Sequence, residues 1–360
     1  MPSDIATKFN DSFIVIDKPK GPTSHQVDYW VREITGIQRV GHVGTLDPGV
    51  TGVLVMATGK AVKLIDIIHE QAKEYVCVMR LYHEVSDERL AEVFEEFTGK
   101  IYQIPPMRSA VARTLREREI YELEIMERAE KLVLFRVRCQ SGTYIRTLCT
   151  DIGYALGVGA QMAELRRTST GIFTEDMGML TLQDLKDSVQ LMKEGREPQA
   201  IKGLFPMDYP MKNLPKIVVK TSSLKNISMG SDLFPGGIRA VLGNPRKGER
   251  VGVYSDRNEL VGTGIMLVDY DKISDLKVVD FDRIMIPAPE NQVKRHREEK
   301  TNRTADSRAK PNSESVREKR AFDQGPRKRK QFNQRDKGSY GTRPDVERRE
   351  KWKKRPQRKR

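Results

Sequence analysis

A change in composition near residue 291 limits how much of this chain can fold. Residues 291–360 carry 26 Lys and Arg against 10 Asp and Glu, a surplus of +16, and few apolar residues. The other 290 residues hold 38 of the 64 basic and 40 of the 50 acidic side chains, so they are nearly neutral. A segment so poor in apolar residues buries too little surface to offset the entropy of ordering. We therefore predict a folded part that ends near residue 290 and a disordered basic tail over 291–360.

Strand and glycine patterns divide the folded part into two domains. Over 1–210, strands and helices follow each other without strict alternation, which favours an α+β domain with a mixed, mostly antiparallel sheet. From residue 217 to about 285, short strands and glycine turns indicate a small β-barrel. A polar stretch with prolines, about 193–215, is predicted to be a linker. The predicted domains therefore span 1–210 and 211–290.

Local patterns predict several elements of the first domain. Thr23 and Gln26 form a capping box that begins a helix ending at Gly36. Apolar residues at helical spacing predict helices near 87–98 and 143–156, each followed by a glycine. Apolar and β-branched runs predict the strands 13–16, 53–56, 74–81 and 131–139.

The cysteines and the hydropathy exclude several classes of protein. Cys77, Cys139 and Cys149 are odd in number and lack paired spacing, which indicates a reducing compartment rather than a disulfide framework. The chain has no run of 18 apolar residues and no apolar leader near its start. We therefore expect a cytoplasmic protein that does not contact membranes.

The most unusual stretch of the sequence is 41–52, Gly-His-Val-Gly-Thr-Leu-Asp-Pro-Gly-Val-Thr-Gly. Its four glycines permit sharp turns and close approach of the backbone to a ligand. Asp47 directly precedes Pro48, which disfavours helical backbone at Asp47. A lone carboxylate on such a loop suits a nucleophile or a general base. A simple Asp-Pro turn without chemistry is the alternative, and these residues by themselves favour it.

The spacing of residues along the chain argues against a phosphate-binding loop, a dinucleotide site and a metal site. The segment from Gly52 to Ala61 has six residues between its glycines, where a phosphate-binding loop needs four, and Ala61 replaces the magnesium-binding Ser or Thr. Gly157 and Gly159 lack the third glycine of a dinucleotide site. The five histidines show no metal-ligand spacing along the chain. We therefore expect neither a cofactor nor a metal.

Five blocks, taken together, resemble the pseudouridine synthase B family, in particular its archaeal and eukaryotic dyskerin-like branch. The stretch 41–52 resembles the family's catalytic motif, and the resemblance extends over about residues 10–286. Because only about ten residues precede the first block, we expect an archaeal member. The segment 217–286 resembles the PUA domain that follows the catalytic domain in this family. The other four blocks are 17–21 (Asp-Lys-Pro-Lys-Gly), 73–76 (Lys-Glu-Tyr-Val), 141–148 (Ser-Gly-Thr-Tyr-Ile-Arg-Thr-Leu) and 165–168 (Leu-Arg-Arg-Thr) followed by Gly171.

The resemblance implies a pseudouridine synthase fold and a catalytic site for uridine isomerisation. It makes Asp47 the nucleophile or the group that labilises the glycosidic bond, and it pairs Asp47 with Arg146. Tyr75 would stack on a flipped-out uracil, with its hydroxyl near the C5 proton.

The same resemblance implies that three further residues bind or support the substrate. Leu165 would pack against the base or the Tyr75 ring, Lys18 would support the active-site strand, and His42 would lie near the extruded nucleotide. Taken one at a time, these residues are more typical of cores, turns and solvated surfaces. Their occurrence together favours the functional interpretation.

The resemblance leaves the RNA substrate and the partners open. One candidate is the T-arm uridine of tRNA, at tRNA position 55. The other is rRNA, targeted through box H/ACA guide RNA with small partner proteins. A non-catalytic RNA-binding scaffold and a guide-particle assembly platform are the alternatives from another class. In either case the basic runs 327–330 and 351–360 suit nonspecific binding to phosphates, although a solubilising tail would have the same composition.

Overall fold

The computed structural model describes residues 8–106, 112, 114–196, 201–274 and 276–287. The predicted tail over 291–360, with its basic runs, lies outside the described residues. The described helices are α1 Ser24–Thr35, α2 Ile65–His69, α3 Asp87–Glu96, α4 Ile145–Ala155, α5 Leu182–Lys193 and α6 Thr221–Ser228. The described strands are β1 Ser12–Lys18, β2 Val40–Val43, β3 Thr51–Thr58, β4 Lys73–Leu81, β5 Gly99–Gln103, β6 Arg116–Ala129, β7 Leu132–Cys139, β8 Ala160–Thr170, β9 Phe173–Thr174, β10 Leu204–Pro206, β11 Lys216–Val219, β12 Ile238–Leu242, β13 Arg250–Tyr254, β14 Leu260–Met266 and β15 Val279–Ile284.

A ten-stranded mixed sheet forms the first domain. Its main path runs β10-β1-β3-β8-β4-β7-β6-β5, while β2 pairs with β3 and β9 pairs with β8. Among the described strands of this sheet, only β3 and β8 pair in parallel, with Gly52 opposite Arg167. The sheet is therefore mostly antiparallel, as the sequence predicted.

Both faces of the centre of this sheet are covered, which explains why β1 and β3 are almost continuously apolar. In β1, Ile14 and Ile16 belong to one buried core with α1, α4 and α5. Phe13 and Val15, on the opposite face, belong to a second core. Because alternate residues of a strand point to opposite faces, a strand covered on both sides needs apolar residues at nearly every position.

The second domain is built on a five-stranded mixed sheet in the order β12-β11-β13-β14-β15. It has its own core, and it also contributes Tyr254, Leu260 and Met285 to the second core of the first domain. Polar contacts lie beside these apolar ones: Lys63 Nζ donates to the Ile284 carbonyl at 2.8 Å, and Arg283 Nη2 contacts Asp66 Oδ2 at 2.7 Å. The two domains therefore share a continuous apolar interface.

Most of the predicted elements are confirmed, and one prediction is wrong. The capping box of Thr23 and Gln26 begins α1, and Gly36 ends it in the left-handed conformation. The stretch 193–215 is not a simple linker, because β10 pairs with β1 and places Phe205 opposite Phe13. Its prolines and polar residues hid a three-residue edge strand that is too short to show a pattern. No helix among the described residues is long and apolar enough to cross a membrane.

Candidate active site

The Asp47 loop, residues 44–50, connects the antiparallel strands β2 and β3. Gly44 (φ +70°) and Gly52 (φ +98°) adopt backbone conformations that residues with a Cβ rarely adopt. Within the loop, the Val50 amide donates to the Asp47 carbonyl at 3.0 Å, which closes a tight turn. The Asp47 side chain remains 54% exposed, so it is accessible to a ligand.

Lys18 contacts this loop from the end of β1. It is completely buried at the end of β1, and its Nζ donates to the carbonyls of Pro19 at 2.9 Å, Pro48 at 3.4 Å and Val50 at 2.9 Å. Burial lowers the pKa of Lys18, while the Asp47 carboxylate acts in the opposite direction. The ammonium group therefore ties the part of the loop just after Asp47 to the end of β1.

We expect Lys18→Met to lower the free energy of unfolding by about 2 to 4 kcal/mol, because it leaves buried carbonyls of the loop without their donor. Urea denaturation measures this change. Lys20→Met is the matched control, since Lys20 is 62% exposed and pairs with Glu164 on the surface. Equal stability of the two variants would show that Lys18 does not hold the loop.

Arg146 lies in the first turn of α4, and its guanidinium contacts the Asp47 carboxylate. The two side chains stay partly open to solvent, at 44% and 54% exposure. The start of α4 is held by Gln103, which is buried and exchanges hydrogen bonds with the backbone of Tyr144 at 3.0 and 3.1 Å. Sequence analysis missed Gln103, because nothing in β5 indicates a contact with a helix 41 residues away.

Tyr75 and Leu165 lie on the neighbouring strands β4 and β8. Tyr75 is opposite Arg167, and Leu165 is opposite Cys77. Tyr75 is half-buried against the core that contains Leu165, which is only 8% exposed. Burial raises the pKa of Tyr75, the Arg167 guanidinium opposes this shift, and the Asp47 carboxylate adds to it. Tyr75 therefore lies opposite the arginine that contacts the start of the Asp47 loop.

His42 lies in a cluster that spacing along the chain does not reveal. Its Nδ1 contacts Asp28 Oδ2 at 2.8 Å, and its Nε2 contacts Thr45 Oγ1 at 3.1 Å. The His25 ring packs edge-on against His42, with centroids 5.0 Å apart. Potential ligand atoms of His25, Asp28 and His42 lie within 4.8 Å of one another. The sequence argument against a metal relied on spacing alone, and the fold brings these three residues together from α1 and β2.

Both ring nitrogens of His42 already have a protein partner. Through Thr45, the imidazole reaches the loop that carries Asp47. The cluster also lies in the first turns of α1, where the partial positive charge of a helix terminus disfavours a cation. Hydrogen bonding to the loop therefore accounts for the placement of His42.

The site thus combines an exposed carboxylate, a guanidinium in contact with it and a nearby aromatic ring. A guanidinium in contact with a carboxylate orients it through charge-assisted hydrogen bonds, and a nucleophile requires such orientation. Three more cations, Lys18, Lys73 and Arg167, are buried around the loop. Burial lowers the pKa of Lys73 to about 8, although its Nζ contacts three backbone carbonyls.

Comparisons with known proteins agree with this geometry. Residues 32–145 match the N-terminal domain of the TruB family pseudouridylate synthases, and residues 146–212 match the tRNA pseudouridylate synthase B C-terminal domain. A probable tRNA pseudouridine synthase B of Picrophilus torridus is 58% identical over 297 residues, which cover 82% of this chain and 84% of that protein. The chain belongs to the TruB family of pseudouridine synthases. This TruB-family enzyme also matches the PUA domain over residues 215–285.

More distant relatives and solved structures extend the same similarity. A probable tRNA pseudouridine synthase B of Methanothermobacter thermautotrophicus is 47% identical over 262 residues, which cover 72% of this chain and 81% of that protein. A chain in the crystal structure of a Cbf5-Nop10-Gar1 complex is 38% identical with a TM-score of 0.73, covering 79% of this chain and 89% of that chain. A chain of an H/ACA RNP bound to a substrate RNA containing 2'-deoxyuridine is 36% identical with a TM-score of 0.71, again covering 79% and 89%.

Proposed function

We propose that this TruB-family enzyme isomerises uridine with Asp47 as its reacting group. Its substrate is the T-arm uridine of tRNA at position 55, or rRNA uridines as the catalytic subunit of a box H/ACA guide particle, or both. The observation that carries the proposal is the exposed Asp47 carboxylate in contact with Arg146. A nucleophile must be accessible and aimed, and this pair meets both conditions. Membership in the TruB family gives the type of reaction, which is the isomerisation of uridine to pseudouridine.

The reaction breaks the bond between C1' and N1 of the uridine and forms a bond between C1' and C5. C5 loses its proton to solvent, and N1 gains a proton, so the product has the same composition as the substrate. No electrons are exchanged with an outside group, so we propose that the enzyme works without a cofactor. A stacked base hides these atoms, so the uridine must first leave its stack. Asp47 then acts as the nucleophile or the labilising group, and Arg146 holds it aimed.

The other site residues receive the following roles in this proposal. Tyr75 stacks on the extruded uracil, and Leu165 packs behind the base and the tyrosine ring. Lys18 holds the loop, in agreement with its three contacts to carbonyls. His42 supports the loop beside the nucleotide through Thr45.

The substrates and partners in the proposal follow the relatives. The curated relatives are named as probable tRNA pseudouridine synthases B, which supports tRNA as a direct substrate. The solved neighbours are assembled with Nop10 and Gar1 or with RNA, which supports guide RNA and small H/ACA proteins as partners. We place the enzyme in the cytoplasm and the domain boundary between residues 210 and 211, with a basic tail over 291–360.

Release of tritium from C5-labelled uridine tests the proposal directly. The purified chain is given unmodified tRNA by itself, and in parallel rRNA fragments with guide RNA and the small H/ACA proteins. Release from tRNA without added factors supports direct modification, and release that requires the guide particle supports the second substrate. No release from either RNA would contradict the proposed activity.

A non-catalytic assembly scaffold is the second candidate, favoured by the likeness to chains solved within protein and RNA assemblies. The two candidates differ in what they require of Asp47. A scaffold binds RNA and small proteins equally well without that carboxylate, whereas the enzyme loses its turnover. Tritium release, measured beside co-purification of RNA and partner proteins, distinguishes the two. Turnover that is lost in an Asp47 variant with intact co-purification supports the enzyme, and co-purification without turnover in the wild type supports the scaffold.

Removing residues 291–360 is expected to weaken RNA binding at low salt by about tenfold or more, since the tail supplies 26 of the 64 Lys and Arg residues. The slope of log K against log salt should become shallower, while the rate at saturating RNA should stay unchanged. Filter binding between 50 and 300 mM salt measures the slope. A tail of equal length built from Gly and Ser is the control, and an unchanged slope would mean that the tail does not contact phosphates.

A further inference from the structure

Arg167 is a buried cation that the proposed function does not use. Only 1% of its surface is exposed, and no carboxylate among the described residues forms an ion pair with it. Its neighbour Arg166 is partly exposed and pairs with Asp17 at 3.0 Å and Glu175 at 2.9 Å. A buried, unpaired guanidinium is costly unless hydrogen bonds satisfy its donors. The hydrogen-bond partners of Arg167 therefore indicate the function of its buried charge.

Three of these contacts are to backbone carbonyls at the two ends of the Asp47 loop. Arg167 Nε donates to the Val53 carbonyl at 2.8 Å, just after the loop. Its Nη2 donates to the carbonyls of Gly44 at 3.0 Å and Val43 at 3.3 Å, just before the loop. One rigid fork of donors therefore fixes where the loop begins and where it ends.

Tyr75 lies directly opposite Arg167 in the pairing of β4 with β8, so the two side chains lie side by side on the same face of the sheet. Burial raises the pKa of the Tyr75 hydroxyl, and the Arg167 guanidinium lowers it. A guanidinium has only donors, so the phenolic oxygen is the atom of Tyr75 that it attracts. A ring held beside a fixed guanidinium presents a fixed face for stacking.

We propose that Arg167 is a positioning residue that fixes the Tyr75 ring and the Asp47 loop relative to each other, and so sets the gap that receives the target uracil. The inference rests on the proposed function, because the gap has meaning only if a base enters it. Lys cannot replace Arg167 here, since it lacks the planar fork whose Nε and Nη2 contact the two ends of the loop separately.

The test is a cycle of Arg167→Lys, Tyr75→Phe and the double variant, compared in single-turnover tritium release and in RNA binding. We expect each single variant to lower the rate constant by about 10- to 100-fold, with RNA affinity within about threefold, because positioning affects the chemical step. In the Tyr75→Phe background, Arg167→Lys should cost at least about fivefold less than in the wild type. Arg166→Lys is the control, with an expected rate within about twofold.

Each possible outcome of this cycle either supports or contradicts the proposal for Arg167. Equal costs of Arg167→Lys in both backgrounds, or a Tyr75→Phe variant with the full rate, would overturn the proposal for Arg167. If Arg167→Lys does not fold, the Tyr75→Phe variant decides by itself, because it removes only the hydroxyl beside Arg167 and keeps the ring. A wild-type enzyme inactive on both RNAs would contradict the proposed function and this inference together, whereas an active wild type with additive variants contradicts only the inference.

Discussion

The Asp47→Asn variant is expected to lose pseudouridine formation by a factor of at least about 10⁴ in single-turnover rate, since an amide offers no anionic oxygen to attack or labilise the glycosidic bond. Its fold should persist, because Asp47 is 54% exposed and the substitution preserves size. We expect the free energy of unfolding to change by less than about 0.5 kcal/mol. Tritium release and urea denaturation measure the two quantities on the same preparation.

Glu122→Gln is the matched control for this substitution. Glu122 is an exposed carboxylate, 60% accessible, that pairs with one arginine, Arg138, at 3.1 Å. The Glu122→Gln substitution therefore also removes a charge from an exposed ion pair, at a position far from the Asp47 loop in the sequence. We expect a rate within about twofold of the wild type. If Asp47→Asn kept a rate within tenfold of this control, Asp47 would not be the reacting group.

Gly52→Ala has the largest expected effect on folding. Gly52 has φ +98°, and a Cβ there would lie 2.2 Å from the Arg167 carbonyl oxygen, on the strand that pairs with it in parallel. Backbone cannot move aside as a flexible side chain does, so β3 and β8 would have to separate at the point where the loop is fixed. We expect a loss of roughly 3 to 5 kcal/mol in the free energy of unfolding, measured by urea denaturation.

Gly49→Ala, in the same loop, is the comparison that isolates this effect. No atom lies within 4 Å of a Cβ built at Gly49, and its backbone is outside the left-handed region. We expect its stability to stay within about 0.5 kcal/mol of the wild type. Similar denaturation curves for the two variants would mean that β3 and β8 do not approach each other as closely as described.

Elements whose cause is local could be predicted from the sequence. Three elements carry their signal within a few residues of sequence. They are the helix that begins at the Thr23 capping box, the apolar strand β1 and helix α4 with its apolar residues at helical spacing. The site residues Asp47, Tyr75 and Arg146 were identified through the resemblance, since each by itself has a common structural explanation. Physical patterns alone favoured a turn at Asp47.

Elements whose cause is long-range could not be predicted. Strand β6, Arg116–Ala129, is mostly polar and exposed, and only its pairing with β5 and β7 makes it a strand. The contacts of Arg167 join positions that are 114 to 124 residues apart. The grouping of His25 with His42 likewise depends on how α1 packs beside β2. In each case the partner is far along the chain, and no local pattern specifies it.

The apolar interface between the two domains has a geometric consequence. Tyr254, Leu260 and Met285 are buried together with side chains of the sheet that carries Asp47, so the domains cannot swing independently without exposing that surface. The interface therefore fixes the position of the second domain relative to Asp47, so any surface of the second domain lies at a set distance from the Asp47 carboxylate.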